Sequence, residues 1–404
     1  MLTTSQEERA ARVAGAGYNV LLLDEADVEL DLATDIPTRS YVEEVRDAGI
    51  RALREGAREP DVHAAASRLY GEARYVVTTR GRTAETVLAR ALLREGDLVL
   101  THTLFPTTGA AIARAGAKAA LVPTRGAGTC DLDITALRER FASGRVAAVW
   151  VEAANNSNGG WPLSLEGLRA VAEACRENDA KLVLDATRLL GNCMQLGLPL
   201  SAAAEFAGLA DAFTVSVAKE GLVPVGALIA VRDKRLEDAV FVDCYSGGYR
   251  LEPVAACVQM VAGLEHVAGH PELFANRSSV LAALSARLRE RGVPVLEPHG
   301  PHAIFVDLEK RLGAITGEQA RALEVHLYER FGIRSLVSRS DALGRTILRI
   351  AFPLARFDER VVEHVAASVA SLIQDASEQR LRKLVMEQPP PPFPVLARYT
   401  SAPA

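Results

Sequence analysis

The chain has 404 residues, 49% hydrophobic and 24% charged, which fits two or three globular domains of roughly 100–200 residues each and excludes general disorder. The net charge of −5 argues against nucleic acid as the main partner, because a phosphate backbone demands concentrated positive charge. No apolar run reaches the roughly 18 residues of a membrane-spanning helix.

Residues 1–35 read as an amphipathic helix, a short apolar stretch at Val20–Leu23 and an acidic segment. Together they predict an arm packed on the main body or on a second subunit. From about residue 40 the chain alternates. Helices are predicted over 40–56 and 61–70, then a strand at Tyr75–Thr79 and a helix from Thr83 to Arg94. A strand at Leu98–Thr103, a helix to Ala115, and strands at Ala119–Val122 and Val146–Val151 follow. A helix over 165–177 precedes strands at Lys181–Leu184, Ala212–Val217 and Gly226–Val231. Short Val/Leu/Ala runs separated by helical patterns mean βα units and a buried, mostly parallel sheet of about seven strands. Its ligands belong at the carboxyl ends of the strands.

A helix around 252–290 leads into a segment over 294–375 that mixes strands (Ala303–Leu308, Thr346–Ile350) with helices (317–330, 358–374). The tail MEQPPPPFPVLARYTSAPA has four consecutive prolines, whose fixed φ predicts an extended polyproline path. The expected domains are an arm over 1–39, a large α/β domain over 40–265 and a smaller α+β domain over 266–404. The five cysteines (Cys130, Cys175, Cys193, Cys244, Cys257) form no CxxC pair, so no disulfide scaffold and no metal site are expected. The polar start MLTTSQEERAARVAG lacks a secretory h-region, which predicts a cytoplasmic protein.

Four strand ends carry candidate chemistry. In TTRGRTAE, Arg80, Gly81 and Arg82 fall between a strand and a helix, an anion site suited to a phosphate monoester; the plain alternative is a βα turn with solvated arginines. The loop VEAANNSNGGWPLS sets Asn155, Asn156, Ser157 and Asn158 after a long apolar strand, either to donate to a ligand oxygen or simply to turn. In LVLDATR, Asp185 ends an apolar strand, and a buried acid there needs a cationic partner, such as a protonated pyridine. In FTVSVAKEGL, Lys219 follows an apolar strand and is either a desolvated nucleophilic amine or a lysine reaching solvent. Ser216 lies three residues before it. Phosphate turn, Asn loop, strand-end Asp and then Lys is the order found in pyridoxal 5′-phosphate enzymes of the aspartate aminotransferase fold.

The chain resembles the β-eliminating lyases, the family of tryptophanase and tyrosine phenol-lyase. The resemblance runs in fragments from about Tyr18 to about Thr400: YNVLLLDEADVELDLATD, RGRTAE, NGGWPLS, LVLDATR, SVAKEGL, GIRS and LRIAFP. It implies a type I pyridoxal-phosphate fold, a mostly parallel seven-stranded sheet flanked by helices, with a smaller C-terminal α+β domain. It also implies a lyase acting on an α-amino acid by β-elimination, with retro-aldol cleavage of the threonine-aldolase kind or transamination as the alternatives. Lys219 would be the internal-aldimine lysine and the base at the substrate α-carbon. Asp185 would pair with the pyridine nitrogen, and Asn156 and Arg188 would face the phenolic oxygen. Arg80, Gly81, Arg82 and Ser216 would cradle the phosphate, and Phe105 would stack on the ring. Arg349 would bind the substrate α-carboxylate, with Arg356 as competitor; Arg334 and Tyr245 are further substrate-side candidates. A homodimer or homotetramer with shared sites is expected by analogy with the fold.

Two departures stand out. No tyrosine lies between Tyr41 and Tyr70, where phenol- and indole-expelling members place a general acid. His63 is the candidate replacement, against the plainer reading of a surface histidine. The residue before Lys219 is Ala218, where the family has a second lysine.

Overall fold

The computed structural model describes residues 3–36, 43–56, 61–126, 128–251, 254–340, 342–354, 357–388 and 396–401. Two compact units emerge: Ile36–Ser278 with Pro353–Ala355, and Met1–Asp35 with Ser279–Phe352 and Arg356–Ala404.

The first unit is built on a seven-stranded sheet among the described residues. Its strands are β1 (Arg74–Thr78), β2 (Leu98–Thr101), β3 (Lys118–Leu121), β4 (Ala148–Glu152), β5 (Lys181–Asp185), β6 (Ala212–Val215) and β7 (Ala227–Val231). They lie in the order β1-β7-β6-β5-β4-β2-β3. Only β7 runs antiparallel to its neighbours β1 and β6; the remaining pairs are parallel. Side chains alternate across a sheet, and the apolar ones divide accordingly. Val149, Val151, Leu182 and Leu184 join one core, whereas Ala148, Trp150, Val183 and Ala212 join another with Ala84, Leu88 and Ile112. Burial on both faces explains why these strands read as unbroken apolar runs.

Three expected boundaries shift. The helix expected from Thr83 opens at Gly81 and runs to Leu92, which brings Arg80 to its cap. The strand expected to reach Val217 stops at Val215, because Ser216 caps the short helix Val217–Glu220. The helix expected over 252–290 is two, Val254–Gly269 and Glu272–Glu290; Pro271 between them has no N–H with which to continue the first.

In the second unit, Leu336–Ser340, Arg345–Ala351 and Ala303–Asp307 form an antiparallel sheet in that order, beside the helices Gly317–Phe331 and Glu359–Ser377. The N-terminal arm packs here: Val13, Val20, Leu23 and Val28 share a core with Ala322, Val325 and Tyr328. Leu30–Asp31 pairs in parallel with Ile333–Arg334. The expected extended tail is corrected in part, since Leu384–Met386 and Tyr399–Ser401 pair as an antiparallel ladder. Pro389–Pro392 lie outside the described residues. No helix among the described residues is long and apolar enough to cross a membrane.

One buried ion pair anchors the turn after β6. Arg277 Nη2 meets Glu220 Oε1 at 2.7 Å with both side chains buried, and Glu220 Oε2 accepts from the Gly191 N–H at 3.2 Å. Removing one partner of a buried pair strands the other charge, at a cost of about 3–5 kcal/mol. Arg277→Ala is expected to lose about that much in equilibrium urea unfolding, and Arg277→Ala with Glu220→Ala less than the single change.

Candidate active site

The site begins with register. Glu152 closes β4 and Asp185 closes β5, and the two are direct partners in the parallel ladder; Asp185 is in turn the partner of Thr214 on β6. Partners in a ladder point to one face. The alternation places Glu152 and Asp185 on the side of Trp150 and Val183, the face covered by the helices Gly81–Leu92 and Pro106–Arg114. Those helices supply Glu85 and Thr108, whose hydroxyl donates to the Glu85 carboxylate.

These acids share one electrostatic neighbourhood with two cations. Burial, with the Asp185 charge, pushes the Glu85 carboxyl up to about 7, while Lys219 pulls it down. Burial and Asp185 likewise push Glu152 up to about 8, against Arg188 and Lys219. Arg188 Nη1 stands 3.6 Å from Glu152 Oε1, both nearly fully buried. Lys219 is half-buried on the short helix Val217–Glu220.

The strand-end loops are tied together by backbone. Asp185 Oδ1 accepts from the Thr187 N–H at 2.9 Å, and Thr187 Oγ1 from the Ser216 N–H at 3.0 Å. The Ser216 hydroxyl caps nothing in its own helix. A Cβ built on Gly81 would stand 2.9 Å from Ser216 Cβ, so only glycine lets the helix start approach that serine. Arg80 caps this helix without a side-chain bond, and its first N–H groups face outward along the axis as an anion site. Both Arg80 and Arg82 are exposed. Phe105 is half-buried at the cap of Pro106–Arg114.

The Asn loop is pinned from below. Buried Asn192 accepts from the N–H groups of Ala154 and Leu163 at 3.2 and 2.8 Å and donates to Leu163 O at 2.9 Å. Ala154 is held at φ 56°, a left-handed conformation that costs a non-glycine residue energy and needs such support. Asn155, Asn156 and Asn158 are all buried, and neither amide atom of Asn155 has a hydrogen-bond partner. His102 Nε2 accepts from the Glu152 N–H at 3.0 Å while Nδ1 lies 2.9 Å from Cys130 O. That assigns the Nδ1–H tautomer, and burial holds the ring's pKa down to about 4.

Sequence reasoning therefore placed Arg80, Gly81, Arg82, Phe105, Asn156, Asp185, Arg188, Ser216 and Lys219 within the first unit at the carboxyl ends of its strands or the starts of the following helices. It missed Glu85, Glu152, His102 and Asn192. A signal existed for two of them: Glu152 ends the run AVWVE and Glu85 closes RGRTAE. Arg349 and Arg334 belong to the second unit. Arg349 donates through Nη2 to Ala33 O, and Arg334 forks onto the Asp31 carboxylate. Arg356 lies outside the described residues. Tyr245 is 67% exposed on the helix Lys234–Ser246. His63 is an exposed helix residue set edge-on to Tyr75.

The β-eliminating lyase family model matches residues 31–372. The chain belongs to that family. It is 30% identical to a probable tryptophanase of Halobacterium salinarum over 95% of this chain and 93% of the relative. It is 27% identical to a tyrosine phenol-lyase of Nostoc punctiforme over 95% of this chain and 91% of the relative. Among solved structures, one of SPT with PLP as internal aldimine aligns with a TM-score of 0.66 and 16% identity over 86% of this chain and 87% of that one. A serine palmitoyltransferase of S. paucimobilis aligns with a TM-score of 0.67 and 15% identity over 86% and 88%. These last two show the fold, the type I architecture. The chain is a pyridoxal-phosphate-dependent lyase.

The Asn192 pin makes a direct prediction. In Asn192→Ala, two buried N–H groups lose their acceptor, each worth about 1–3 kcal/mol. The variant is expected to unfold at lower urea, and amide exchange at Ala154 and Leu163 is expected to accelerate.

Proposed function

We propose that the cluster at the ends of β4, β5 and β6 is the pyridoxal-phosphate site of an amino-acid β-lyase, with Lys219 as its amine. The observation that carries this reading is that Asp185 and Lys219 both act on the same two buried carboxyls, Glu85 and Glu152, beside a helix start that glycine keeps open to Ser216. The unpartnered Glu152 Oε2 and the fully buried Asn155 amide are the polar surface that a polar heterocycle requires.

When bound, the cofactor supplies the electron sink for carbanion chemistry at the substrate α-carbon. The chain's own residues do the rest. Lys219 Nζ would hold the cofactor aldehyde and, with substrate bound, would take the proton from Cα. Asp185 keeps a proton on the pyridine nitrogen. Asn156 and Arg188 hydrogen-bond the ring oxygen, and Phe105 stacks on the ring. Gly81 and Ser216 receive the phosphate, with Arg80 and Arg82 adding positive charge. The family resemblance supports Arg349 as the fork for the α-carboxylate. Loss of the α-proton and the β-substituent leaves an enamine acid, to which water adds to give the keto acid and ammonia, with the substituent released carrying a proton.

The substrate side chain is inferred from the missing tyrosine. Named relatives include tryptophanases and tyrosine phenol-lyases, yet no tyrosine lies between Tyr41 and Tyr70. A β-substituent that departs without strong protonation fits such a site better than indole or phenol. The enzyme is also inferred to be a homodimer or a dimer of dimers. Phe241, Val242 and Tyr245 expose apolar surface along one helix, Phe241 and Tyr245 stack, and contiguous exposed apolar surface marks an interface. The five buried, free cysteines fit a reducing, cytoplasmic compartment.

Two experiments check these assignments. The purified chain is expected to show a visible cofactor band that borohydride removes and Lys219→Ala lacks. It should release keto acid faster from β-chloroalanine or O-acetylserine than from tryptophan or tyrosine. Pyridoxamine phosphate or an aldehyde as the product would instead indicate transamination or retro-aldol cleavage. In sedimentation velocity, the protein is expected to run as a dimer or larger, and a Phe241→Glu, Tyr245→Glu double variant as a smaller species.

A further inference from the structure

Glu152 lines the proposed site but is given no task in the assignments above, and it is buried. It is the ladder partner of Asp185, so the two carboxyl carbons hang from neighbouring strands about 4.8 Å apart and on one face. Arg188 Nη1 faces its Oε1 at 3.6 Å, and its Oε2 has no hydrogen-bond partner. Its own N–H is fixed by His102 Nε2 at 3.0 Å.

We propose that Glu152 is a positioning residue for the cofactor. Kept protonated, it leaves Arg188 available to the ring oxygen and Asp185 as the single negative charge beneath it; ionised, it draws Arg188 to itself and adds a second negative charge to a site built for an anionic ester. This rests on the pyridoxal-phosphate reading and extends it to a residue with a different task. A buried carboxyl beside a half-buried one does not ionise readily, since like charges in a poorly solvated site repel. Of the pair, Asp185 Oδ1 accepts from the Thr187 N–H at 2.9 Å, whereas Glu152 Oε2 has no hydrogen-bond partner. The groups that face Glu152 are Asp185, Arg188, Lys219 and the Asn156 backbone N–H, with the Cys130 thiol and the neutral His102 ring on the remaining side. Their balance leaves Glu152 protonated at neutral pH, with its carboxyl at about 8.

The sign is definite. If the cofactor binds the form with Glu152 protonated, affinity falls as pH rises through that value. The probe is pyridoxamine 5′-phosphate, which has no aldehyde and so takes the Lys219 imine out of the measurement. Its dissociation constant is measured by tryptophan fluorescence from pH 6 to 9 on the cofactor-free wild-type chain and on Glu152→Gln. Titration of the probe itself cancels in the ratio of the two constants. The wild-type to variant ratio is expected to rise about tenfold between pH 7 and 9. A ratio flat across the range, with both proteins binding, overturns the role of Glu152 and leaves the cofactor site standing. Binding by neither protein overturns the cofactor reading and this inference with it. Should Glu152→Gln melt without cooperativity, Glu152→Ala serves as the second variant, and the same rise in ratio is expected.

Discussion

The structure of the first unit turns on placing charge at the ends of buried strands. Glu152 and Asp185 are neighbours in the ladder, Arg188 stands 3.6 Å from Glu152, and Asp185 and Lys219 both act on Glu85 and Glu152. Ionised groups taken out of water are costly unless paired. The surrounding architecture is largely a means of pairing them. Thr187 donates to Asp185 and accepts from Ser216, and Asn192 holds the Asn loop. Glu220 and Arg277 anchor the turn that carries Lys219.

Backbone, more than side chain, does the positioning. The helix after β1 opens on glycine because Ser216 leaves no room for a Cβ. Ala154 sits in a left-handed conformation because Asn192 and the loop closure hold it there. His102 is spent on structure: one ring nitrogen accepts from the Glu152 N–H and the other bonds Cys130 O, while burial keeps the ring neutral. This buried histidine is a strut between strand ends, which removes it as a proton carrier.

Membership in the β-eliminating lyases settles the class of reaction but leaves specificity to loops. The family's early tyrosine has no counterpart here, and His63, exposed on its helix and turned edge-on to Tyr75, is no clear substitute. Glu152 on β4 adds a buried acid beside Asp185.

The amino-acid sequence by itself determined the seven-stranded α/β unit, because buried parallel strands leave apolar runs that periodicity exposes. It also marked Asp185 and Lys219, since a charge ending such a run is conspicuous, and the strand-to-helix turn at Gly81. Only the tertiary structure decided which strand ends are neighbours. The order β7-β6-β5-β4-β2 and the register Glu152 to Asp185 make a strand-end glutamate part of the site. No local pattern encodes that pairing, because register arises from packing both sheet faces at once. For the same reason Asn192, inside a helix whose sequence reads as ordinary, came to hold the Asn loop only when that helix was laid against the strand ends.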